Sequence, residues 1–381
     1  MKNTTIKVIA SAVAATITVG AFAAAFVGCG KKPNYFEKVS AYSFWENTGD
    51  TSIPQYNVYN IVNDFLSDGE IRDGQVIGKD GKVKKVAFFG FDGTRADAIS
   101  NVLFDENSFD TNGYNYAAEK SGLNELVKTG GIYLAYCGGE KGSETEQSTS
   151  TSASWTSQFT GVWNNKHGVK ENDDVKNMEY KTFMLQYAEK GLKTSLAFDW
   201  GDYFDINLRE EVKYLMANPD IDFTVCDTDR KTETVAPENM LAENLDLYNY
   251  VANPTPSDKA PYDVYLRDYL LGRIEGGDDI VCGIFHNVDS NGHTYGFSNE
   301  VNQYVNSVRN CDGYAYDLIK AIEKREKENN EDWLIIIAND HGGKGQGHGK
   351  QTYEERTTWI ASNKKIDSKY FSQNYDGFKV K

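Results

Sequence analysis

The sequence is poor in positive charge relative to negative charge. Its 381 residues carry 40 lysines and arginines against 56 aspartates and glutamates, which gives a net charge of -16. No cluster of lysine and arginine occurs, and such clusters are what hold a phosphate backbone, so a nucleic-acid duplex is excluded as a partner. An acidic chain can still bind a single phosphate group through a local positive charge such as a metal ion.

Cysteine is also scarce. The chain has five cysteines, and they are widely scattered without a C-x-x-C pair: Cys29, Cys137, Cys226, Cys282 and Cys311. This spacing argues against a cysteine-based zinc site. No internal repeat is visible, and 40% hydrophobic with 25% charged residues is typical of a folded globular protein. The length is enough for one large α/β domain.

The first residues form a separate segment. Lys2 and Lys7 precede an uncharged apolar run over 8–27 that ends in Gly28-Cys29, which predicts a secretory signal over 1–28. Gly-Cys also resembles a bacterial lipoprotein signal, in which Cys29 would be lipidated. An uncleaved anchor of ~20 residues and plain secretion are the alternatives. All three predict an exported protein, and the first two attach it to the membrane.

The rest of the chain alternates between apolar strands and amphipathic helices. Residues 29–82 are predicted to be a spacer with a hairpin, and 83–381 one domain. Strands are predicted in 84–92, 192–200, 220–227, 278–289 and 332–340, and helices in 116–128, 236–251, 262–274 and 300–328. This alternation predicts an α/β fold with a mostly parallel central sheet and helices on both faces.

Three of the predicted strands end on an acid: Asp92, Asp289 and Asp340. An aspartate after a strand is most often a turn former or a helix cap. In an open α/β sheet, however, ligands bind beyond the carboxyl ends of the strands, so three such acids are expected to converge there.

Histidines lie close to two of these acids. His293 is four residues beyond Asp289, His341 directly follows Asp340, and His348 stands between two glycines. Carboxylate and imidazole together suit zinc, and manganese or iron with less preference. Glycines at 292, 342, 343, 347 and 349 are expected to let the backbone turn tightly enough to aim these groups at one point. Six ligand-type residues predict two divalent metal ions.

A nucleophile is expected in the segment 144–172, which is unusually rich in serine and threonine. A low-complexity polar loop is the alternative interpretation. Residues 154–160 followed by Gly161 predict a short helix with a glycine stop. The hydroxyls before that helix would lie at its N-terminus, where anions bind.

Four segments together resemble the alkaline phosphatase superfamily, and within it the nucleotide pyrophosphatase/phosphodiesterase branch: "FGFDGTRAD", "STSTSASWTSQFTGVWNNKHGVKEN", "VDSNGHTYG" and "NDHGGKGQGHG". The resemblance runs from about Lys84 to Lys365. It implies that one metal is bound by Asp92, Asp340 and His341, and the other by Asp289, His293 and His348. It also implies Thr151 as the nucleophile, with Asn172 as a hydrogen-bond donor to a phosphate oxygen.

The implied activity is hydrolysis of a small phosphodiester or nucleotide through a phosphoryl-threonine, assisted by two metal ions, zinc preferred, and no organic cofactor. A phosphomonoesterase is the alternative enzyme, although no arginine occurs between Arg95 and Arg209 to clamp the extra charge of a monoester. A surface binding protein with an idle site is the alternative outside enzymology. His167 and His286 are expected to be structural.

Overall fold

The computed structural model describes residues 34–47, 51–104, 109–111, 114–116, 120–228 and 262–372. The helices in these ranges are α1 Tyr35–Ser40, α2 Asn57–Ser67, α3 Ala98–Phe104, α4 Gly122–Thr129, α5 Thr151–Thr160, α6 Asn164–His167, α7 Phe183–Ala188, α8 Arg209–Ala217, α9 Tyr262–Glu275, α10 Asn287–Tyr295, α11 Asn302–Asn329 and α12 Tyr353–Arg356. A π-helical turn spans Tyr203–Asn207 and a 3-10 turn Ser368–Tyr370. The predicted leader, Cys29 and the helix expected over 236–251 lie outside the described residues.

The strands are β1 Ile53–Pro54, β2 Glu70–Arg72, β3 Gln75–Ile77, β4 Val83–Phe91, β5 Phe109–Thr111, β6 Tyr114–Tyr116, β7 Gly131–Tyr136, β8 Thr194–Phe198, β9 Phe223–Asp227, β10 Ile280–Phe285, β11 Glu331–Ala338 and β12 Thr357–Ser362. The main sheet has the order β1-β7-β12-β11-β4-β10-β8-β9, with the β2-β3 hairpin attached to β4. Its pairs are parallel except those of β12 and the hairpin. The predicted α/β fold with a mostly parallel sheet is therefore confirmed.

The centre of the sheet is formed by β10, β4 and β11, which run side by side. β4 pairs in parallel with β10 as far as Phe91↔Phe285 and with β11 as far as Gly90↔Ala338. All of β4 after its first residue is buried, as expected for a strand covered on both faces. Because the three strands end level with one another, the residues that follow them meet at one edge of the sheet.

The region before β4 is more ordered than the predicted spacer. Within 34–82 the chain forms α1, β1, α2 and the expected hairpin. Val39, Trp45 and Val58 are buried in the core, and β1 pairs in parallel with β7. This segment is therefore part of the domain rather than a linker to it.

Several boundaries differ from the prediction. The strand expected over 278–289 ends at Phe285, and Asp289 lies on α10. The helix expected over 116–128 begins at Gly122, and Tyr116 ends strand β6. The pattern over 300–328 predicted one helix or two, and the chain forms a single helix, Asn302–Asn329. Three strands of the main sheet, β1, β7 and β12, have no counterpart in the prediction.

Among the described residues, no helix combines the length and the apolar character needed to cross a bilayer.

Candidate active site

Helix α5 carries the serine- and threonine-rich segment into the fold. It begins at Thr151 rather than at the expected Ser154, and it ends at Gly161, whose φ of 75° is left-handed. All of its ten residues are buried. Ser150 precedes the helix without making a side-chain capping bond. Of the first-turn backbone N–H groups, that of Ser152 donates to Asn172; the start of a helix is otherwise a place where such groups bind anions.

The structure brings the six predicted metal ligands together in two sets. Asp92, Asp340 and His341 form one set, which we call the buried half, and Asp289, His293 and His348 form the other, the exposed half. Within each set, one candidate ligand atom from each residue lies within 4.8 Å of the others. The rings of His341 and His348 stack at 3.8 Å and so join the halves.

The buried half is inaccessible to solvent. The side chains of Asp92, Asp340 and His341 are 0% exposed. His341 Nε2 lies 3.2 Å from Asp340 Oδ2 and 3.6 Å from Asp92 Oδ1. Three polar groups removed from water in this way need a strong partner.

The exposed half lies on α10 and on the loop before α12. Asp289 and His293 are four residues apart on one face of α10, and His293 Nε2 lies 3.2 Å from Asp289 Oδ2. His348 Nε2 lies 3.6 Å from Asp289 Oδ1 and 3.2 Å from His293 Nε2. The side chain of His293 is 47% exposed, so this half opens toward solvent.

The three predicted ligand histidines share one hydrogen-bonding pattern. In each, Nδ1 lies at hydrogen-bond distance from a backbone carbonyl: Gln346 for His293, Gly342 for His341 and Thr149 for His348. Donation from Nδ1 fixes the tautomer and leaves the lone pair of Nε2 for a metal. His167 differs, because its Nδ1 accepts from the N–H of Val169.

Each of the three carboxylates has one oxygen that is not committed to a hydrogen bond with the backbone or with Trp155 and could bind a metal. Asp92 Oδ2 accepts from Trp155 Nε1 and contacts His286 Nδ1, while its Oδ1 points toward His341. Asp340 Oδ1 accepts two backbone N–H groups. Asp340 Oδ2 and Asp289 Oδ1 are buried and have no hydrogen-bond partner among the described residues. Buried oxygens of this kind, beside imidazole nitrogens, fit divalent cations such as zinc.

Thr151 lies beside the buried half. Its Oγ1 is 3.3 Å from His341 Nε2 and 3.5 Å from Asp92 Oδ1. The neighbouring hydroxyls are placed differently: Thr149 Oγ1 donates to Glu355, and Ser152 Oγ donates to Asn207. The geometry thus places the hydroxyl of Thr151, among these three, next to the candidate metal ligands.

Asn172 lies beside the first turn of α5. Its Oδ1 accepts from the backbone N–H of Ser152 at 3.1 Å. Its Nδ2 makes no hydrogen bond to any of the described residues. The amide hydrogens of Asn172 can therefore donate to an anion bound at the start of the helix.

His286 is the site residue that the sequence interpretation missed. It was expected to be only structural, but it contacts Asp92 and forms a third group of possible ligands with Asp92 and Asp289. Its ring stacks on Trp200 at 6.0 Å. The sequence feature that could have indicated its role is its position directly after β10, three residues before Asp289.

The glycines act mainly by making room, not by turning the chain. A side chain at Gly292 or Gly343 would place its Cβ 2.3 Å from the ring of Phe297. That ring packs against His293 at 5.3 Å and His348 at 6.0 Å. Among the five glycines named in the prediction, only Gly349 has a positive φ, of 97°. Phe297 therefore supports the histidines of the exposed half.

Burial and charge shift the proton affinities of the two halves in different directions. Burial raises the pKa of Asp340, and burial together with His348 lowers the pKa of His341 to about 4. The hydrogen bond with Asp289 raises the pKa of His293 to about 8. Burial opposes the shift at His286, but Asp92 raises its pKa to about 10. At neutral pH, His341 is ready to bind a cation, whereas His293 must first lose a proton.

Solved structures with a similar fold include three hydrolases. The alkaline phosphatase of the Antarctic bacterium TAB5 is 12% identical, with 73% of this chain and 90% of that chain covered and a TM-score of 0.45. The phosphonoacetate hydrolase of Sinorhizobium meliloti 1021 is 12% identical, with 70% and 60% covered and a TM-score of 0.44. A 2-O GAG sulfatase is 10% identical, with 78% and 68% covered and a TM-score of 0.47.

A comparison with curated proteins found no match. The sequence model of the family "Type I phosphodiesterase / nucleotide pyrophosphatase" matches residues 86–353. The match begins in β4 and ends at the first residue of α12, and it includes all six candidate ligands, Thr151 and Asn172. The chain belongs to the type I phosphodiesterase/nucleotide pyrophosphatase family.

Proposed function

We propose that this chain hydrolyses phosphodiester or pyrophosphate bonds with Thr151 as the nucleophile and two divalent metal ions, zinc preferred, in the two halves. The main support for this proposal is the position of Thr151 Oγ1, which lies 3.3 Å from His341 Nε2 and 3.5 Å from Asp92 Oδ1. A hydroxyl is a weak nucleophile unless a metal or a base activates it. Its contact with two candidate ligands supports activation by coordination.

The donor set supports metal ions rather than a general base. Asp92, Asp340 and His341 would hold one ion, and Asp289, His293 and His348 the other. Bound in this way, the ions would lower the pKa of the attacking hydroxyl and stabilise the charge on the leaving oxygen. Zinc is preferred because imidazole and carboxylate oxygens are its usual ligands in hydrolases.

The residues of the chain then carry the reaction in two displacements. Thr151 releases its hydroxyl proton to solvent as its Oγ attacks phosphorus; the bond from phosphorus to the leaving oxygen breaks, and that oxygen takes up a proton from water. Water next attacks phosphorus, the bond to Thr151 Oγ breaks, one proton of that water returns to Oγ, and the other is released to solvent with the phosphate product. In both steps Asn172 Nδ2 and the N-terminus of α5 donate hydrogen bonds to a non-bridging oxygen.

The charge around the site supports a diester over a monoester. Arg95 follows Asp92 closely, but its guanidinium binds Asp97 and the carbonyls of Phe297 and Gly343. It is therefore committed to holding loops together. A diester monoanion needs only a neutral donor such as Asn172, whereas a monoester dianion would lack a second positive charge.

The test is a substrate panel with zinc-loaded protein. We expect bis-p-nitrophenyl phosphate to be cleaved with a higher kcat/KM than p-nitrophenyl phosphate or p-nitrophenyl sulfate. Thr151→Ala should lose about 10^4-fold or more in kcat and keep its metal. Ser150→Ala is the matched control, because the buried Ser150 hydroxyl has no hydrogen-bond partner among the described residues, and it should retain turnover.

Each alternative has its own outcome in this panel. Preference for the monoester would replace the proposal with a phosphomonoesterase. Metal binding without turnover of any ester would favour a binding protein with an idle site. Normal turnover in Thr151→Ala would show that another group attacks phosphorus.

A further inference from the structure

Asn172 is held by a residue outside the proposed catalytic set. Asn207 is fully buried and ends the π-helical turn Tyr203–Asn207. Its Nδ2 donates to the carbonyl of Asn172 at 2.8 Å and to the carbonyl of Asp174 at 2.7 Å. Its Oδ1 accepts from Ser152 Oγ at 2.7 Å. The side chain of Asn207 thus ties the Asn172 loop to the first turn of α5.

The same two elements are joined a second time. The backbone N–H of Ser152 donates to Asn172 Oδ1, and this bond orients the carboxamide of Asn172. Thr151 immediately precedes Ser152, so a shift of the loop relative to α5 would move Nδ2 of Asn172 relative to the attacking hydroxyl. The side chain of Asn207 bonds to both the Asn172 loop and the first turn of α5, and so holds them at a fixed distance.

The support for Asn207 is rigid. Its own carbonyl accepts from the backbone N–H of Lys176 at 3.0 Å. Lys176 in turn forms an ion pair with Glu211 at 2.9 Å, with both side chains almost wholly buried. The π-turn itself is closed by the N–H of Leu208, which bonds to the carbonyl of Tyr203 at 2.9 Å. Single π-turns are rare and occur frequently at functional sites.

We propose that Asn207 is a positioning residue for the reaction, which holds the Asn172 amide and the start of α5 in register. This inference rests on the proposed function, in which Asn172 donates to the phosphate. It assigns Asn207 an effect on turnover that operates through Asn172. A buried asparagine that served stability alone would not show this dependence.

Asn47 provides the matched control. It is a buried asparagine with the same pattern of bonds, because its Nδ2 donates to the carbonyls of Thr51 and Leu134 and its Oδ1 accepts from the N–H of Leu134. It joins the N-terminal segment to β7 and contacts no candidate site residue. Asn47→Ala should therefore reduce stability without changing turnover.

The experiment is a double-mutant cycle on the full zinc-loaded chain, with bis-p-nitrophenyl phosphate as substrate. We expect Asn207→Ala to lower kcat by about 10- to 100-fold, the usual range for residues that orient a functional group, with KM nearly unchanged and metal content equal to wild type. The double variant Asn172→Ala/Asn207→Ala should be no slower than Asn172→Ala alone.

Two results would overturn the inference: wild-type turnover in Asn207→Ala, or losses that multiply in the double variant. If Asn207→Ala fails to fold, Ser152→Ala replaces it, since it removes the 2.7 Å bond to Asn207 together with a longer 3.5 Å bond to the carbonyl of Asn172. Ser152→Ala should then be slower than wild type, and an unchanged rate rejects the positioning role. Wild-type turnover in Asn172→Ala would instead reject the donor assigned in the proposed function, and the role of Asn207 with it.

Discussion

The two halves of the candidate metal centre have the same number of ligands but different surroundings. The buried half follows two central strands, β4 and β11, and all three of its side chains are 0% exposed. The exposed half lies on α10 and on a loop, and His293 is 47% exposed. The comparison indicates that one half is held in place by the sheet, whereas the other depends on the packing of Phe297.

The largest expected difference between the halves concerns single histidines. His341→Ala should lower kcat/KM by about 10^4-fold, within the range seen when one member of a catalytic set is removed, because His341 contacts Thr151 and both buried acids. His293→Ala should cost about 100-fold, close to the effect of weakened metal binding. Steady-state kinetics with bis-p-nitrophenyl phosphate measures both losses. Equal losses would remove the distinction between the halves.

The packing of Phe297 gives the next largest effect. The ring is 1% exposed and lies against His293 and His348. Phe297→Ala should destabilise the fold by about 3–5 kcal/mol, and it should weaken metal binding in the exposed half more than in the buried half. Denaturant unfolding and zinc titration measure these two effects. Phe88→Ala, a core change in β4, is a control for stability without a direct effect on the exposed half.

Removing the contact between His286 and Asp92 tests how Asp92 is held in the buried half. His286→Leu removes a donor from Asp92 Oδ2, so zinc affinity in the buried half should fall by about 10- to 100-fold. Affinity in the exposed half should change less. An unchanged zinc titration would show that Trp155 alone is sufficient to orient Asp92.

The pH dependence of stability distinguishes His167, which is expected to be structural, from the candidate ligand histidines. Burial lowers the pKa of His167 to about 3 from its usual 6.5, so the folded chain keeps it neutral while the unfolded chain takes up a proton below about pH 6.5. Stability should therefore fall as pH decreases from about 6.5 toward 3, by up to about 1.4 kcal/mol per pH unit from this residue. Unfolding of the metal-free protein at several pH values should show a shallower slope in His167→Gln. Identical slopes would contradict this assignment.

The proximity of Asp92, Asp340 and His341 could be predicted from the sequence more readily than contacts between residues far apart in the chain. Asp92 directly follows β4, Asp340 and His341 lie two and three residues beyond the end of β11, and the carboxyl ends of parallel strands meet by the geometry of the fold. The helical position of Asp289 was missed because a single residue, His286, separates β10 from α10, and no glycine or proline marks the boundary between them.

Other elements could not be predicted for a different physical reason. β12 contains polar residues, Thr357 and Thr358, that are buried only because the strand pairs with both β11 and β7. Asn207 is 35 residues from Asn172 and 55 from Ser152, and no local pattern connects them. The helix in the serine- and threonine-rich segment was predicted, but it begins earlier than expected, because Thr151 and not Ser154 is the first helical residue.

The most direct test of the two-metal centre is zinc titration of the metal-stripped chain near pH 7, followed by metal analysis of the wild type, His341→Ala and His348→Ala. We expect two ions per wild-type chain, with the tighter site in the buried half, because His293 must release a proton before it binds. His341→Ala should lose the tighter site, and His348→Ala the weaker one. One ion or none in the wild type, or loss of the same site in both variants, would contradict the account.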